Sequence, residues 1–277
     1  MDKMHTKQIP SSGEELPVIG LGTWQGFDIG NDPDDRAPRK EILNTLFDGG
    51  GAMVDSSPMY HRAEGVTGDL LEGMGAHNKA FIATKVWTAG RAEGIAEMNR
   101  SFALLKTDTI DLMQVHNLVD LNTQMKTMRT WKEEGRFRYL GVTHYAPGAI
   151  DKVLDAIRSH DLDFVQMMYS LDEPQAADQL LPLCQDKGVA FIANRPLGGS
   201  GRLRRLRNTP LPGWALEMGI DSWARFSLKF TVAHPGVTCA IPGTGNPQNM
   251  ADNMGAGYGP IPDEKQQAEM LGYWRAL

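Results

Sequence analysis

Eight short apolar runs recur along the 277-residue chain, at 18–22, 52–55, 81–85, 112–116, 139–143, 164–168, 190–194 and 239–242. Amphipathic stretches fill the gaps: one opening at Pro38 and stopped by the glycines at 49–51, then roughly 64–74, 91–105, 122–134, 147–159, 175–187, 222–233 and 247–255. Proline suits a first-turn position and glycine a helix stop. Strand–helix alternation repeated eight times predicts a closed, all-parallel (β/α)8 TIM barrel. The segment H-T-K-Q-I-P-S-S-G-E-E-L before the first strand reads as a hairpin that turns at S-S-G and caps the barrel floor. No linker or shift in composition divides the chain, so residues 1–277 are expected to form a single unit. The connection at 198–213 is long for a barrel loop, which points to function.

A doubly wound dinucleotide fold is the main competitor, because G-L-G-T-W-Q-G at 20–26 superficially suggests its glycine fingerprint. That fingerprint must open a helix, and the following F-D-I-G-N-D-P-D-D, with Gly30 and Pro33, argues against one. A net charge of −6 disfavours nucleic acid as a partner. No run approaches the ~20 apolar residues of a membrane span. Cys184 and Cys239 are far apart in apolar surroundings and are expected to be reduced core thiols. The N-terminus lacks an apolar signal core. A cytoplasmic location is expected, or a periplasmic one if an export leader has been trimmed.

A barrel builds its active site from the C-terminal strand ends. Here those ends carry Thr23, Asp55, Lys85, His116, Thr143–His144, Gln166, Asn194 and Thr244, and Tyr60 follows five residues after Asp55 in D-S-S-P-M-Y. A phenol with a pKa of ~10 is a poor proton donor alone. An ammonium at Lys85 is expected to lower that pKa, with Asp55 holding the lysine charged. His116 is suited to hydrogen-bond a substrate carbonyl oxygen. The four form a carbonyl-polarising acid site, fit to protonate an oxygen as hydride arrives at its carbon. No metal-ligand spacing occurs.

The segments G-L-G-T-W (20–24), D-S-S-P-M-Y (55–60), A-T-K-V-W (83–87), D-L-M-Q-V-H (111–116), G-V-T-H-Y (141–145), V-Q-M-M-Y-S (165–170), P-L-G (196–198) and I-P-G-T-G-N-P-Q-N-M-A-D-N (241–253) carry a resemblance over nearly the whole chain. In this order and spacing they resemble the aldo-keto reductase family, in a bacterial branch with altered nicotinamide- and 2′-phosphate-contacting residues. The resemblance implies a (β/α)8 barrel that carries hydride from NADPH, less often NADH, to an aldehyde or ketone. By residue-wise match it makes Tyr60 the general acid, Lys85 and Asp55 its tuners and His116 the carbonyl-orienting group. Trp24, His61 and Trp87, with His116, would contact the substrate.

The same resemblance assigns the cofactor positions. Gly22, Thr23, Trp24 and Asp55 lie at the first two strand ends. Thr143 and His144 stand where the family has Ser-Asn, and Gln166 matches. Asn194, followed by Arg195, stands where a tyrosine commonly stacks on the nicotinamide. Pro196, Leu197 and Gly199, within P-L-G-G-S-G, would line the pyrophosphate with backbone N–H groups. Pro242, Gly243, Thr244 and Asn249 belong to the cofactor set, with Thr244 and the backbone N–H groups near Pro247–Asn249 left to meet the adenosine 2′-phosphate, and Asp252 and Asn253 match positions that contact adenine. Gly243 and Asn249 replace the family's lysine and arginine on the 2′-phosphate. The run G-R-L-R-R-L-R at 201–207 offers four arginines in a loop able to fold over the cofactor. NADP(H) is the favoured cofactor, with NAD(H) as the alternative and a weak preference between them. A nucleotide-sensing barrel with little turnover, a Schiff-base aldolase using Lys85 and a metal-dependent hydrolase using Asp55, His116 and His144 are the rival readings.

Overall fold

The computed structural model describes residues 3–277, so Met1 and Asp2 of the expected 1–277 unit lie outside the described residues. An antiparallel hairpin, β1 (Thr6–Gln8) and β2 (Glu15–Pro17), precedes eight barrel strands. These are β3 (Leu21–Gly22), β4 (Met53–Asp55), β5 (Phe81–Val86), β6 (Ile110–His116), β7 (Phe137–Thr143), β8 (Phe164–Met168), β9 (Ala190–Asn194) and β10 (Cys239–Ala240). All neighbours pair in parallel in chain order. Parallel bridges Ile19 to Ala240 and Gly22 to Gly243 bring the first strand against the last and close the barrel. The first and last strands are shorter than their apolar runs.

The crossover helices are α1 (Pro33–Asp48), α2 (Ala63–Met74), α3 (Arg91–Leu105), α4 (Leu121–Glu133), α5 (Ile150–Ser159) and α6 (Ala176–Lys187). Then come two short pieces, α7 (Arg202–Arg205) and α8 (Gly213–Glu217), followed by α9 (Trp223–Ala233), α10 (Pro247–Gly255) and α11 (Glu264–Ala276). The expected start of α1 at Pro38 is corrected. The helix begins five residues earlier, because Asp32 caps it by accepting from Asp34 N–H and Pro33 takes the first helical position. Pro38 is therefore inside the helix, and the stretch F-D-I-G-N-D-P-D-D contains a helix start in its last residues. No helix among the described residues is long and apolar enough to cross a membrane.

Two apolar layers hold this together. Alternate residues of the strands fill the barrel interior: Met53, Phe81, Ala83, Leu112, Tyr139, Phe164, Ala190, Ile192, Cys239 and Ile241. Gly141 leaves room for one of them, since a Cβ there would lie 2.7 Å from Phe164 O. Ile9 and Leu16 of the hairpin join the same cluster and seal the floor. Tyr139 Oη sits 2.7 Å from both Ser12 Oγ and Glu14 Oε2, which ties the S-S-G turn to the barrel. The outer faces of the strands pack against the helices in a larger cluster. Cys184 and Cys239 are buried free thiols.

Candidate active site

Backbone strain gathers at the barrel mouth. Among the described residues, six of the seven non-glycine residues with positive φ (Gln25, His61, Asn117, Leu118, Asp120 and Arg195) lie in loops that follow strands, and Lys106 is the exception. Strain of this kind persists where surrounding structure over-determines a loop.

The centre of the mouth is an ion pair. Lys85, fully buried at the end of β5, donates from Nζ to Asp55 Oδ2 at 2.7 Å and to Ser56 O at 2.6 Å. Burial alone would lower the lysine pKa, but the Asp55 charge, with the neighbouring Tyr60 and the hydrogen bond to Asp55, outweighs it and holds the ammonium above its ordinary range. A buried, paired ammonium is not a nucleophile, so Lys85 is poorly placed for a Schiff base. The other carboxylate oxygen, Asp55 Oδ1, accepts from Gln166 Nε2 at 2.9 Å and Gln114 Nε2 at 3.2 Å. Gln166 Oε1 in turn takes Thr143 Oγ1 at 3.0 Å, with Asn194 Nδ2 at 3.5 Å. Thr23 Oγ1 stands 3.0 Å from Asp55 O and from Ser56 Oγ, steadying the backbone at this end of β4.

Tyr60 leans over this pair, with Lys85 Nζ 5.1 Å from its ring centroid. The expectation of a lowered phenol pKa is corrected. Burial raises it most, Lys85 offsets part of that and Asp55 opposes the offset, so the phenol stays protonated above its usual value. His116 meets Tyr60 edge-on at 6.1 Å between centroids. Burial, then the charge of Lys85 and the nearby His144, push its pKa down to about 3, so the imidazole is neutral. Ser57 Oγ accepts from Met59 N–H at 3.3 Å and lies 3.0 Å from His116 Nδ1. The contact holds the imidazole in place and is compatible with the tautomer in which the serine hydroxyl donates to Nδ1 and the ring proton sits on Nε2.

A cavity of about 670 Å³ opens above these groups, lined by Asp55, Tyr60, His116, Thr143, His144, Gln166 and Asn194, with Gly22 and Trp24 from the first strand end. Arg195, Pro196, Leu197, Gly199, Pro242 and Gly243 complete its outer wall. His144 accepts through Nδ1 from Tyr145 N–H and Ala146 N–H, at 3.0 and 3.1 Å, so its ring stiffens the loop after β7. Leu197 and Gly243 also line a second cavity of about 820 Å³, with Thr244, Asn249, Asp252 and Asn253. Thr244 Oγ1 is engaged in its own turn, accepting from Asn246 N–H at 3.0 Å. Asp252 is tied to Ser222 Oγ at 2.7 Å and Arg225 Nε at 3.0 Å.

Not every sequence-predicted residue reaches these cavities. Thr23 and Lys85 stand behind the wall. His61 is exposed at positive φ, and neither it nor Trp87 lines either cavity, although the Trp87 ring lies 6.2 Å from His116. Sequence reasoning missed Gln114, Ser57, Met59 and Tyr145. Gln114 had a signal: two residues before His116 on one strand, it must share that residue's face.

The profile of the Aldo/keto reductase family matches residues 18–268, and the chain belongs to that family. Methylglyoxal reductase YeaE of Escherichia coli (strain K12) is 29% identical over 248 residues, which cover 86% of this chain and 85% of that protein. An aldo-keto reductase from Klebsiella pneumoniae, solved in complex with NADPH, superposes with a TM-score of 0.81 at 25% identity, covering 99% of this chain and 95% of that one. A Klebsiella pneumoniae aldo/keto reductase in complex with NADP and acetate gives 0.78 at 25% identity, over 99% and 96%. The chain is an NAD(P)H-dependent oxidoreductase acting on carbonyl compounds.

Proposed function

We propose that this enzyme reduces a small aldehyde or ketone to its alcohol, reversibly, with Tyr60 as the proton donor and NADP(H) favoured over NAD(H). The observation that carries this reading is the buried Lys85–Asp55 pair at 2.7 Å beneath a protonated Tyr60 and a neutral His116.

The two adjoining cavities support the cofactor. Asn194 in the inner one keeps a buried Oδ1 with no partner, and Asn253 in the outer one keeps a buried Nδ2 with none. An acceptor near Thr143 and Gln166 suits a carboxamide N–H, and a donor at Asn253 suits a ring nitrogen of adenine. Unpartnered buried polar groups are costly unless a ligand completes them. Bound there, the reduced nicotinamide supplies the hydride to the carbonyl carbon.

The remaining work is done by the chain. His116 Nε2–H meets the carbonyl oxygen and fixes its orientation. As negative charge develops on that oxygen, the Tyr60 hydroxyl gives up its proton to form the alcohol. Lys85 lowers the cost of the phenolate left behind, and Asp55, held by both glutamines, keeps Lys85 in place. In reverse, the phenolate takes the proton back.

Steady-state NADPH and NADH oxidation with methylglyoxal and with simple aldehydes tests this. Turnover that disappears in Tyr60→Phe supports it. Tight nucleotide binding with no turnover on any carbonyl would favour the sensing alternative.

A further inference from the structure

The stretch 201–207, in the loop between β9 and α9, carries four arginines, and the structure divides them into two kinds. Arg202 is committed: its Nη2 donates to Trp274 O at 2.5 Å, and its guanidinium lies over the Trp274 ring at 4.7 Å. Arg205 is committed too, donating from Nη1 to Ser200 O at 2.9 Å. Arg204 and Arg207 make no side-chain hydrogen bond or ion pair among the described residues, and both line the outer cavity.

Charge in that cavity is unevenly satisfied. Its two carboxylates, Asp221 and Asp252, are both held by Arg225, at 2.8 and 3.0 Å. Gly243 and Asn249 bring no cation. Arg204 and Arg207 are therefore the unmatched positive groups, beside Thr244 and the orphaned Asn253 Nδ2. Two unpaired guanidinium groups lining one cavity suit an anion that takes several donors, as a phosphate does.

We infer that Arg204 and Arg207 grip the phosphate on the adenosine ribose, the group that NADPH has and NADH lacks. The inference rests on the nicotinamide-dependent reading above. The bridging pyrophosphate is a poorer candidate, because it links the two halves of the dinucleotide and belongs where the cavities join, at Leu197 and Gly243. The grip comes from α7 and the turn after it, not from the end of the last strand. It replaces the expected share for Arg202 and Arg205.

The test measures dissociation constants for NADPH and NADH in the wild type, in Arg204→Ala/Arg207→Ala and in Arg205→Ala. A charge-assisted contact to phosphate is worth roughly 10- to 100-fold in affinity. NADPH binding should fall by at least that factor in the double variant, which removes two such contacts, with NADH changed less than about threefold and Arg205→Ala near wild type. Added salt should weaken NADPH binding more than NADH binding in the wild type only. Parallel losses for both nucleotides, or none for either, would overturn the assignment. Should the double variant misfold, competition in the wild type decides: 2′,5′-ADP must displace NADH at least about tenfold better than 5′-ADP, and equal potency overturns the grip. Failure of the wild type to bind either dinucleotide would instead remove the cofactor reading beneath it.

Discussion

Asp172 Oδ1 accepts the indole N–H of Trp274, 102 residues further along, at 3.0 Å. The same carboxylate takes Ser200 Oγ–H on Oδ2 at 2.8 Å, and Gly198 rests so close that a Cβ would collide with it. Helix α11 is thus bound to the glycine loop that walls the inner cavity. Trp274→Phe keeps the ring and loses the N–H, so KM for the dinucleotide should rise several-fold with kcat little changed. Unaltered KM would mean the loop is held without this bond.

Tyr60→Phe should lower kcat by about 10²–10⁴-fold, the usual range for a positioned general acid. Cofactor binding should stay within twofold to threefold, read by nucleotide fluorescence titration. Activity within a few-fold of wild type would remove Tyr60 from its role.

Lys85→Met should damage both turnover and stability. Removing one partner of a buried pair leaves the other uncompensated, at about 3–5 kcal/mol. Lys85 has a raised pKa in the fold, so its contribution is complete below its unfolded value, the ordinary 10.5, and disappears as pH climbs through the higher folded value. The stability gap between wild type and variant, from urea melts, should be equal at pH 6 and 8 and shrink only in strong alkali.

His116 titrates in the opposite sense. Its folded pKa of about 3 lies below the unfolded value near 6.5, so the fold keeps its full contribution above pH 6.5 and loses it as pH falls toward 3. Acid should therefore destabilise the wild type more than His116→Gln between pH 6.5 and 4. A ring resonance of His116 that titrates near 6.5 by NMR would contradict the buried, neutral imidazole.

Leu16→Ala opens the sealed floor. A leucine-to-alanine change in a packed core costs about 2–5 kcal/mol. The floor lies opposite the mouth, so KM should not move while the melting temperature drops.

Much of this architecture was readable locally. Asp55, Lys85 and His116 each close an apolar run, and strand alternation alone brings them to one mouth. Other features depend on partners remote in sequence. Nothing in G-R-L-R-R-L-R separates Arg202 from Arg204, because the distinction is made by Trp274 on another helix. The start of α1 turned on one cap, Asp32, ahead of a proline that looked like the beginning. Helix α11 escaped notice because only Met270 and Trp274 on it are buried, too few for a visible period. His61 follows Tyr60 directly, yet its positive φ marks a sharp turn and it ends up outside the cavity wall.

Gln166 binds Asp55 with its nitrogen and receives Thr143 and Asn194 on its oxygen. One side chain thereby belongs to the proposed nicotinamide wall and to the support of the proposed acid at once. A lineage that altered its grip on the reacting half of the dinucleotide would disturb proton delivery in the same step. Among the described residues, the outer cavity, fed by a separate loop, has no such bond to Asp55. If Arg204 and Arg207 hold the phosphate as proposed, dinucleotide choice can be rewritten there, one arginine at a time, while the chemistry at the barrel axis is inherited unchanged.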